Sequence, residues 1–439
     1  MNITRRGIRL VAAAAATVMA VAPIAACGEA QSAAGSDDQG EILVWSWESA
    51  VKKMAEGFEK ENPGVKVKVV NAGSSDEEYS ALNNALSAGS GAPDIVQLNY
   101  DAITQFVLSD ALEDLDQYGA GSIMNKFTDS AKAGVTVNGK VYSMPGGMGP
   151  LAMFYNKEIF DKAGVTEPPK TWDEFYEAAK KIHALGDDYY ITADSGSEAG
   201  NAMSMMWSAG AQPFGVGESD VKIDLTGDKG TQRYIDFWQK MIDEHLIDTK
   251  TSWWTDDWYR ALADGKNAVV LAGGWMPITL KSSVGSASGK FRVALAPKGD
   301  GSSTNSESGG GGYSIVKGSR NAKLAYKFLQ YIGYGGGHKI QVDMGAFPAV
   351  LDTLDDPEWL GKTDDYFGGQ KINEVLAEAE KSVTAGFPFL PYQAYANKVY
   401  SDTVGKAYAE GSGTTLEQGF AQWQEKLVAY GKEQGFTVK

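Results

Sequence analysis

Between Glu41 and Leu98 the chain alternates two kinds of apolar pattern, and this alternation limits the fold more than any other feature. Glu41-Ile42-Leu43-Val44-Trp45-Ser46-Trp47 is an almost unbroken apolar run, as expected of a strand covered on both faces. Val51, Met54 and Phe58 then recur at helical spacing until Asn62-Pro63-Gly64 stops the helix. Val65 to Val70 reads as a second strand. Ser75 and Glu78 have the spacing of a capping box ahead of a helix that carries Tyr79, Leu82 and Leu86. Pro93-Asp94-Ile95-Val96-Gln97-Leu98 reads as a third strand. The order β-α-β-α-β predicts an α/β fold with a parallel sheet and helices on both of its faces.

Farther along, Val135-Thr136-Val137 and Val141-Tyr142 flank Asn138-Gly139, the pair best suited to a type I′ hairpin turn. Gly134 and Gly139-Lys140 also have phosphate-loop spacing, but Val141 stands where a Ser or Thr must hold magnesium and no helix follows. Helices are predicted around Phe175, Ala179 and Ile182, behind a Thr171–Glu174 capping box, and around Tyr234, Phe237, Trp238, Met241 and Ile242. Ala268 to Leu271 and Tyr313 to Val316 read as strands, the second after a Ser/Gly-rich stretch from Gly299 to Gly312. Leu416, Phe420, Trp423 and Leu427 mark a closing helix.

The amino terminus has a different logic. Arg5, Arg6 and Arg9 precede an apolar run from Leu10 to Val21, too short to span a bilayer, and residues 1–26 read as a signal peptide. The run ends at Ile24-Ala25-Ala26-Cys27, which resembles a bacterial lipobox, and Cys27 is the chain's single cysteine. Cys27 is therefore expected to carry a lipid. Residues 27–40 are small and polar and read as a tether. About 400 residues remain, more than one core usually serves, which predicts two lobes. Without the three arginines the formal net charge moves from −16 to about −19, so the surface repels nucleic acid and anionic lipid headgroups.

Catalytic signatures are mostly absent. His183, His245 and His338 are scattered rather than set at metal spacing, each is expected at the surface or at a helix end, and no nucleophile elbow occurs. No metal and no cofactor is expected. Paired carboxylates keep a glycoside hydrolase reading open, with Glu48 and a second acid. Asp76, Glu77 and Glu78 are explained by the dipole of the helix they begin. The positive signal is tryptophan. Trp172, Trp238 and Trp423 sit on apolar stripes or beside caps and are expected in the core. Trp47, Trp207, Trp253, Trp254, Trp258 and Trp275 lie at element ends or in polar loops. A sugar has apolar C–H faces ringed by hydroxyls, so its site needs aromatic platforms edged by acids and amides. Trp47 beside Glu48, Asn99-Tyr100-Asp101 after the third strand, Trp207, Trp254 with Asp257, and Trp275 are the candidate ligand-binding residues.

Other stretches carry a resemblance. They include Leu43-Val44-Trp45-Ser46-Trp47, Phe58-Glu59-Lys60-Glu61-Asn62-Pro63-Gly64-Val65, Gly91-Ala92-Pro93-Asp94-Ile95 and Asn138-Gly139-Lys140-Val141-Tyr142. With them go Phe154-Tyr155-Asn156-Lys157-Glu158-Ile159-Phe160-Asp161-Lys162-Ala163-Gly164 and Pro169-Lys170-Thr171-Trp172-Asp173-Glu174-Phe175. Together they resemble the bacterial extracellular carbohydrate-binding proteins that serve ABC importers, a maltose-binding-protein-like family. The resemblance implies a two-lobed periplasmic-binding-protein fold with discontinuous lobes, joined by hinge segments and holding ligand in the cleft. Residues 41–148 with 300–346 are the expected N-terminal lobe, and 149–299 with 347–439 the C-terminal lobe. Glycines near Met144 to Pro150, within Pro297 to Gly312 and near Gly345 to Pro348 fit hinges. The implied function is capture of a carbohydrate, an oligosaccharide by the number of platforms, and delivery to permease subunits by a lipid-anchored monomer that binds no nucleic acid. A receptor for peptides or another non-sugar polar solute keeps the same fold.

Overall fold

The first strand, β1 (Gly40–Trp45), leads into the helix Ala50–Glu61, strand β2 (Val65–Val70), the helix Ser75–Ala88 and strand β3 (Ile95–Asn99). The computed structural model describes residues 39–217, 219–299 and 301–439. The expected signal peptide, Cys27 and most of the expected tether lie outside the described residues. β1 pairs in parallel with both β2 and β3, as the alternating pattern predicts. Ile42 and Val44 of β1 and Val51, Met54 and Phe58 of the first helix are buried in one apolar cluster.

The second helix begins one residue earlier than its spacing suggests. Ser74 is the residue before the helix, and the Glu77 carboxylate accepts from its N–H at 2.9 Å. Glu78 thereby turns inward and is fully buried. A one-residue change of helical phase rotates a side chain by about 100°, enough to carry it from solvent to core.

Five more strands complete two sheets: β4 (Met144–Pro150), β5 (Ala152–Asn156), β6 (Val269–Ala272), β7 (Phe291–Leu295) and β8 (Glu307–Ile315). The first sheet has the order β2-β1-β3-β8-β4, with β8 antiparallel to both neighbours. In the second, β6 and β7 flank β5, both antiparallel to it. β8 starts at Glu307 rather than Tyr313, so glycines expected in a loop belong to a strand, with register irregularities between Glu307 and Gly312.

Leu151 alone separates β4 of the first sheet from β5 of the second. Its N–H donates to Ser306 O at 2.9 Å, and its carbonyl accepts from Asn305 Nδ2 at 2.9 Å. The same Nδ2 donates to Ala379 O at 3.0 Å, and Asn305 N donates to Ser382 O at 2.8 Å. Three chain passages are thus tied by one buried amide, including one near Ala379–Ser382 that the residue pattern does not announce. At Gly149, a Cβ would come within 2.3 Å of Ser308 O, so this glycine permits close approach of β4 and β8.

Thr136–Val137 and Lys140–Val141 pair as a hairpin, with Asn138 at φ 50° and Gly139 at φ 76°. Two positive φ values are what a type I′ turn requires. Trp172, Trp238 and Trp423 are buried, as their stripes predict, and Trp253 and Trp258 join them in the core. His338 stands at a helix end, in the first turn of Gly336–Asp343, but is buried there, with Nε2 2.9 Å from Thr353 Oγ1, and burial lowers its pKa to about 4. Among the described residues no helix is long and apolar enough to cross a membrane.

Candidate functional site

A cavity of about 380 Å³ opens beyond the carboxyl end of β3. Asn99 ends the strand, and Tyr100 and Asp101 begin the helix Tyr100–Leu108 that follows directly. Facing them are Met203, Ser204 and Trp207 of the helix Ala199–Ser208, and the loop Gly386-Phe387-Pro388-Phe389. The hairpin, at Thr136, Val137 and Asn138, and β8, at Glu307, Gly309 and Gly310, close the rest. Ligands in open α/β sheets gather at this end because the loops there leave a crevice.

Tyr100 is held by two glycines. A Cβ at Gly134 would lie 2.7 Å from its ring and one at Gly310 2.9 Å from it, and Gly310 has φ +92°. The hydroxyl donates to Gly147 O at 3.3 Å. Burial, then the nearby Glu307 and Glu380 charges, raise its pKa well above the usual phenol range. Asp101 Oδ2 accepts from Asn397 Nδ2 at 3.3 Å, linking the helix Tyr100–Leu108 to the helix Gln393–Tyr400.

Trp207 is only 5% exposed and stacks on Phe387, with ring centroids 4.9 Å apart and 22° between planes. Its indole Nε1 has no hydrogen-bond partner among the described residues. A buried donor left unpaired costs about 1–3 kcal/mol. Glu307 is buried too, and its Oε2 accepts from Gly149 N at 2.8 Å. Burial, then the Glu380 charge, push its pKa well above the ordinary carboxyl range.

The cavity brings together Asn99, Tyr100, Asp101 and Trp207 of the sequence-derived candidates. Trp47 is partly buried and meets Tyr79 edge-on at 6.2 Å, while Tyr79 Oη accepts from Asn99 N at 2.8 Å. Glu48 lies within a polar cluster away from the cavity lining. Its Oε1 accepts from Gln97 Nε2 at 2.8 Å, and its Oε2 from Tyr313 Oη at 3.0 Å and Gln341 Nε2 at 3.1 Å. Burial nonetheless raises its pKa, against the lowering effect of those bonds. Asp257 sits on the exposed face of the helix Asp256–Ala263, 2.7 Å from Arg260 Nη1.

Trp254 and Trp275 form a second aromatic group beside the cavity wall. Trp275 Nε1 donates to Ser308 O at 2.7 Å, and its ring abuts Gly309, where a Cβ would come within 3.0 Å. The Trp254 ring lies 5.7 Å from it and 5.6 Å from Trp258. Trp254 is 46% exposed and held at φ 68°. The left-handed region costs a non-glycine residue about 1–2 kcal/mol, so the rest of the fold holds this indole outward against its local preference.

Sequence reasoning missed Asn138, Glu307, Phe387 and Phe389. Gly386-Phe387-Pro388-Phe389, two rings around a proline after a glycine, is a signal that could have found the loop. Glu307 had none, since it stands alone in a Ser/Gly stretch. No group of residues able to hold a metal ion occurs among the described residues.

A sequence model of the bacterial extracellular solute-binding proteins matches residues 53–365. The ABC transporter associated binding protein from B. animalis subsp. lactis Bl-04, solved with β-1,6-galactobiose, is 46% identical over 91% of this chain and 100% of that one, with a TM-score of 0.83. The galacto-N-biose-/lacto-N-biose I-binding protein of the ABC transporter from Bifidobacterium longum, solved with lacto-N-biose, is 27% identical over 92% of this chain and 99% of its own, with a TM-score of 0.79. A lactose-binding protein from Rhizobium radiobacter is 26% identical over 80% of this chain and 88% of that protein.

Proposed function

The chain belongs to the bacterial extracellular solute-binding protein family, and from that premise we propose that it captures a short carbohydrate, β-1,6-galactobiose being the first candidate, and delivers it to an ABC importer. Its fold is the two-lobed α/β fold of that family, and it acts as a binding protein rather than an enzyme. We assign residues 41–148 with 300–346 to one lobe and 149–299 with 347–439 to the other, with the cavity between them. Cys27 is proposed to carry the lipid that keeps the protein at the outer face of the membrane.

The observation that carries the reading is the composition of the cavity wall. Trp207, backed by Phe387, offers a flat apolar face with an unpartnered N–H, while Asn99, Asp101 and Glu307 supply acids and an amide. That combination matches a ring with apolar faces and polar rims. A volume of about 380 Å³ lies near the lower end of the roughly 300–1,000 Å³ usual for ligand pockets, which favours a disaccharide over a long chain. Trp254 and Trp275, adjoining the wall at Gly309, are proposed to extend the platform for a longer sugar. Closure of the lobes is driven only by contacts that the sugar makes better in the closed form.

Calorimetry of the chain with β-1,6-galactobiose and with lactose tests this. Micromolar affinity, about −8 kcal/mol, is expected for the better ligand. Trp207→Ala should abolish the heat, Asp257→Ala should leave it unchanged, and chromatography should recover the sugar intact. No heat with either sugar removes the carbohydrate reading.

A further inference from the structure

Glu307 does not stand alone at the cavity wall. Glu380, at the end of the helix Ile372–Lys381, is buried beside it. Each carboxyl has one oxygen satisfied: Glu307 Oε2 by Gly149 N at 2.8 Å, and Glu380 Oε1 by Ser130 Oγ at 2.6 Å. Each also has one oxygen, Glu307 Oε1 and Glu380 Oε2, that accepts from no donor among the described residues. Ser130, the donor to Glu380, lines the cavity together with Glu307, and the Glu380 charge raises the Glu307 pKa. One proton shared by the pair removes the repulsion of two buried carboxylates, a doubly ionised state that burial and like charge disfavour.

We propose that Glu307 is a ligand-contacting, specificity-determining residue that works as a carboxylic acid, sharing one proton with Glu380 and meeting a sugar hydroxyl at the cavity wall. This rests on the carbohydrate reading and deepens it. Glu307 is 7% exposed and lines the cavity, so a ligand there meets Glu307, with Glu380 buried behind it. The groups packed around the pair are polar or neutral: Thr128 and Ser130 at the start of the helix Asp129–Val135, Gly149 and Met148 of β4, and Tyr100 of the helix Tyr100–Leu108. None of these is a cation that would compensate a second negative charge. Burial is the largest cause in raising both acids.

While the pair holds its proton it carries one charge, and its hydrogen bonds are complete. As pH rises through the raised ionisation the proton leaves, and the two buried carboxylates repel each other and displace Glu307 from the position in which it meets the sugar. Ligand binding is therefore linked to one proton, and affinity is lost toward alkaline pH by up to about tenfold per pH unit.

The test is calorimetry with β-1,6-galactobiose on the full chain from about pH 5 to about pH 9, in buffers of differing ionisation enthalpy. The expected result is a plateau at low pH, an alkaline decline, and uptake of up to one proton on binding within the decline. Glu307→Gln and Glu380→Gln should each flatten the decline, because an amide–carboxylate pair needs no shared proton. A purely structural role would lower thermal stability without altering the pH profile of affinity. Binding that is flat with pH and takes up no proton overturns the proton pair while leaving the carbohydrate reading intact. No heat at any pH overturns both.

Discussion

Gly310→Ala tests whether β8 serves the cavity by lacking side chains. Two costs can be read from the structure. Gly310 has φ +92°, where an L-residue pays about 1–2 kcal/mol. Its new Cβ would lie 2.9 Å from Tyr100 Cε2 and 3.1 Å from Gly147 O, and crowding of this kind in a packed region costs about 1–3 kcal/mol. The total is about 2–5 kcal/mol. The Tyr100 ring cannot retreat, because Gly134 backs it so closely that a Cβ there would be 2.7 Å away. Gly411→Ala isolates the backbone part, since Gly411 has φ +74° and nothing lies within 4 Å of the methyl it would gain, so only about 1–2 kcal/mol is expected. Urea unfolding of both variants, followed by calorimetry with β-1,6-galactobiose, gives the comparison. Gly310→Ala should be the more destabilising and should weaken binding, because the displaced ring is part of the cavity wall. In a Tyr100→Ala background its cost should fall toward that of Gly411→Ala, leaving only the Gly147 O contact beyond the backbone part, and the drop measures the coupling between the two sites. Equal costs for the two alanines, with binding unchanged, would refute the idea that the missing side chain makes room for Tyr100.

Two other predictions concern regions apart from the cavity. Burial raises the Glu78 pKa from 4.5 to about 8, so the folded state holds a proton that the unfolded state has released across this range. Stability contributed at low pH is then lost as pH rises from 4.5 to about 8, by up to about 5 kcal/mol. Glu78→Gln should remove that dependence, and unfolding free energies of wild type and variant that run parallel with pH would contradict it. Cys27→Ser should release the protein from the membrane fraction into the medium, and mass spectrometry of the wild-type amino terminus should find a diacylglyceryl cysteine; an unmodified Cys27 sinks the anchor.

The chain's local chemistry was enough to determine the parallel β-α-β-α-β opening, the Asn138-Gly139 turn and the burial of Trp172, Trp238 and Trp423. Strand pairing, turn φ values and amphipathic stripes depend on residues close in sequence, so they can be read there. Asn99, Tyr100, Asp101 and Trp207 were legible as candidates for a related reason: they stand at the ends of elements whose place in an α/β sheet is known in advance. What the tertiary structure alone decided is which candidates meet. Trp207 stacks on Phe387, which is distant in the chain, and Glu307 meets Gly149 and the Glu380 charge, brought in on other passages. Glu48, next to Trp47 in sequence, is instead engaged by Gln97, Tyr313 and Gln341. Glu78 went from a helix-end acid to a buried one through a single residue of helical phase. Periodicity fixes a side chain's direction within its own element, whereas its neighbours across the cavity depend on how separate elements pack, and that information is spread over the whole chain.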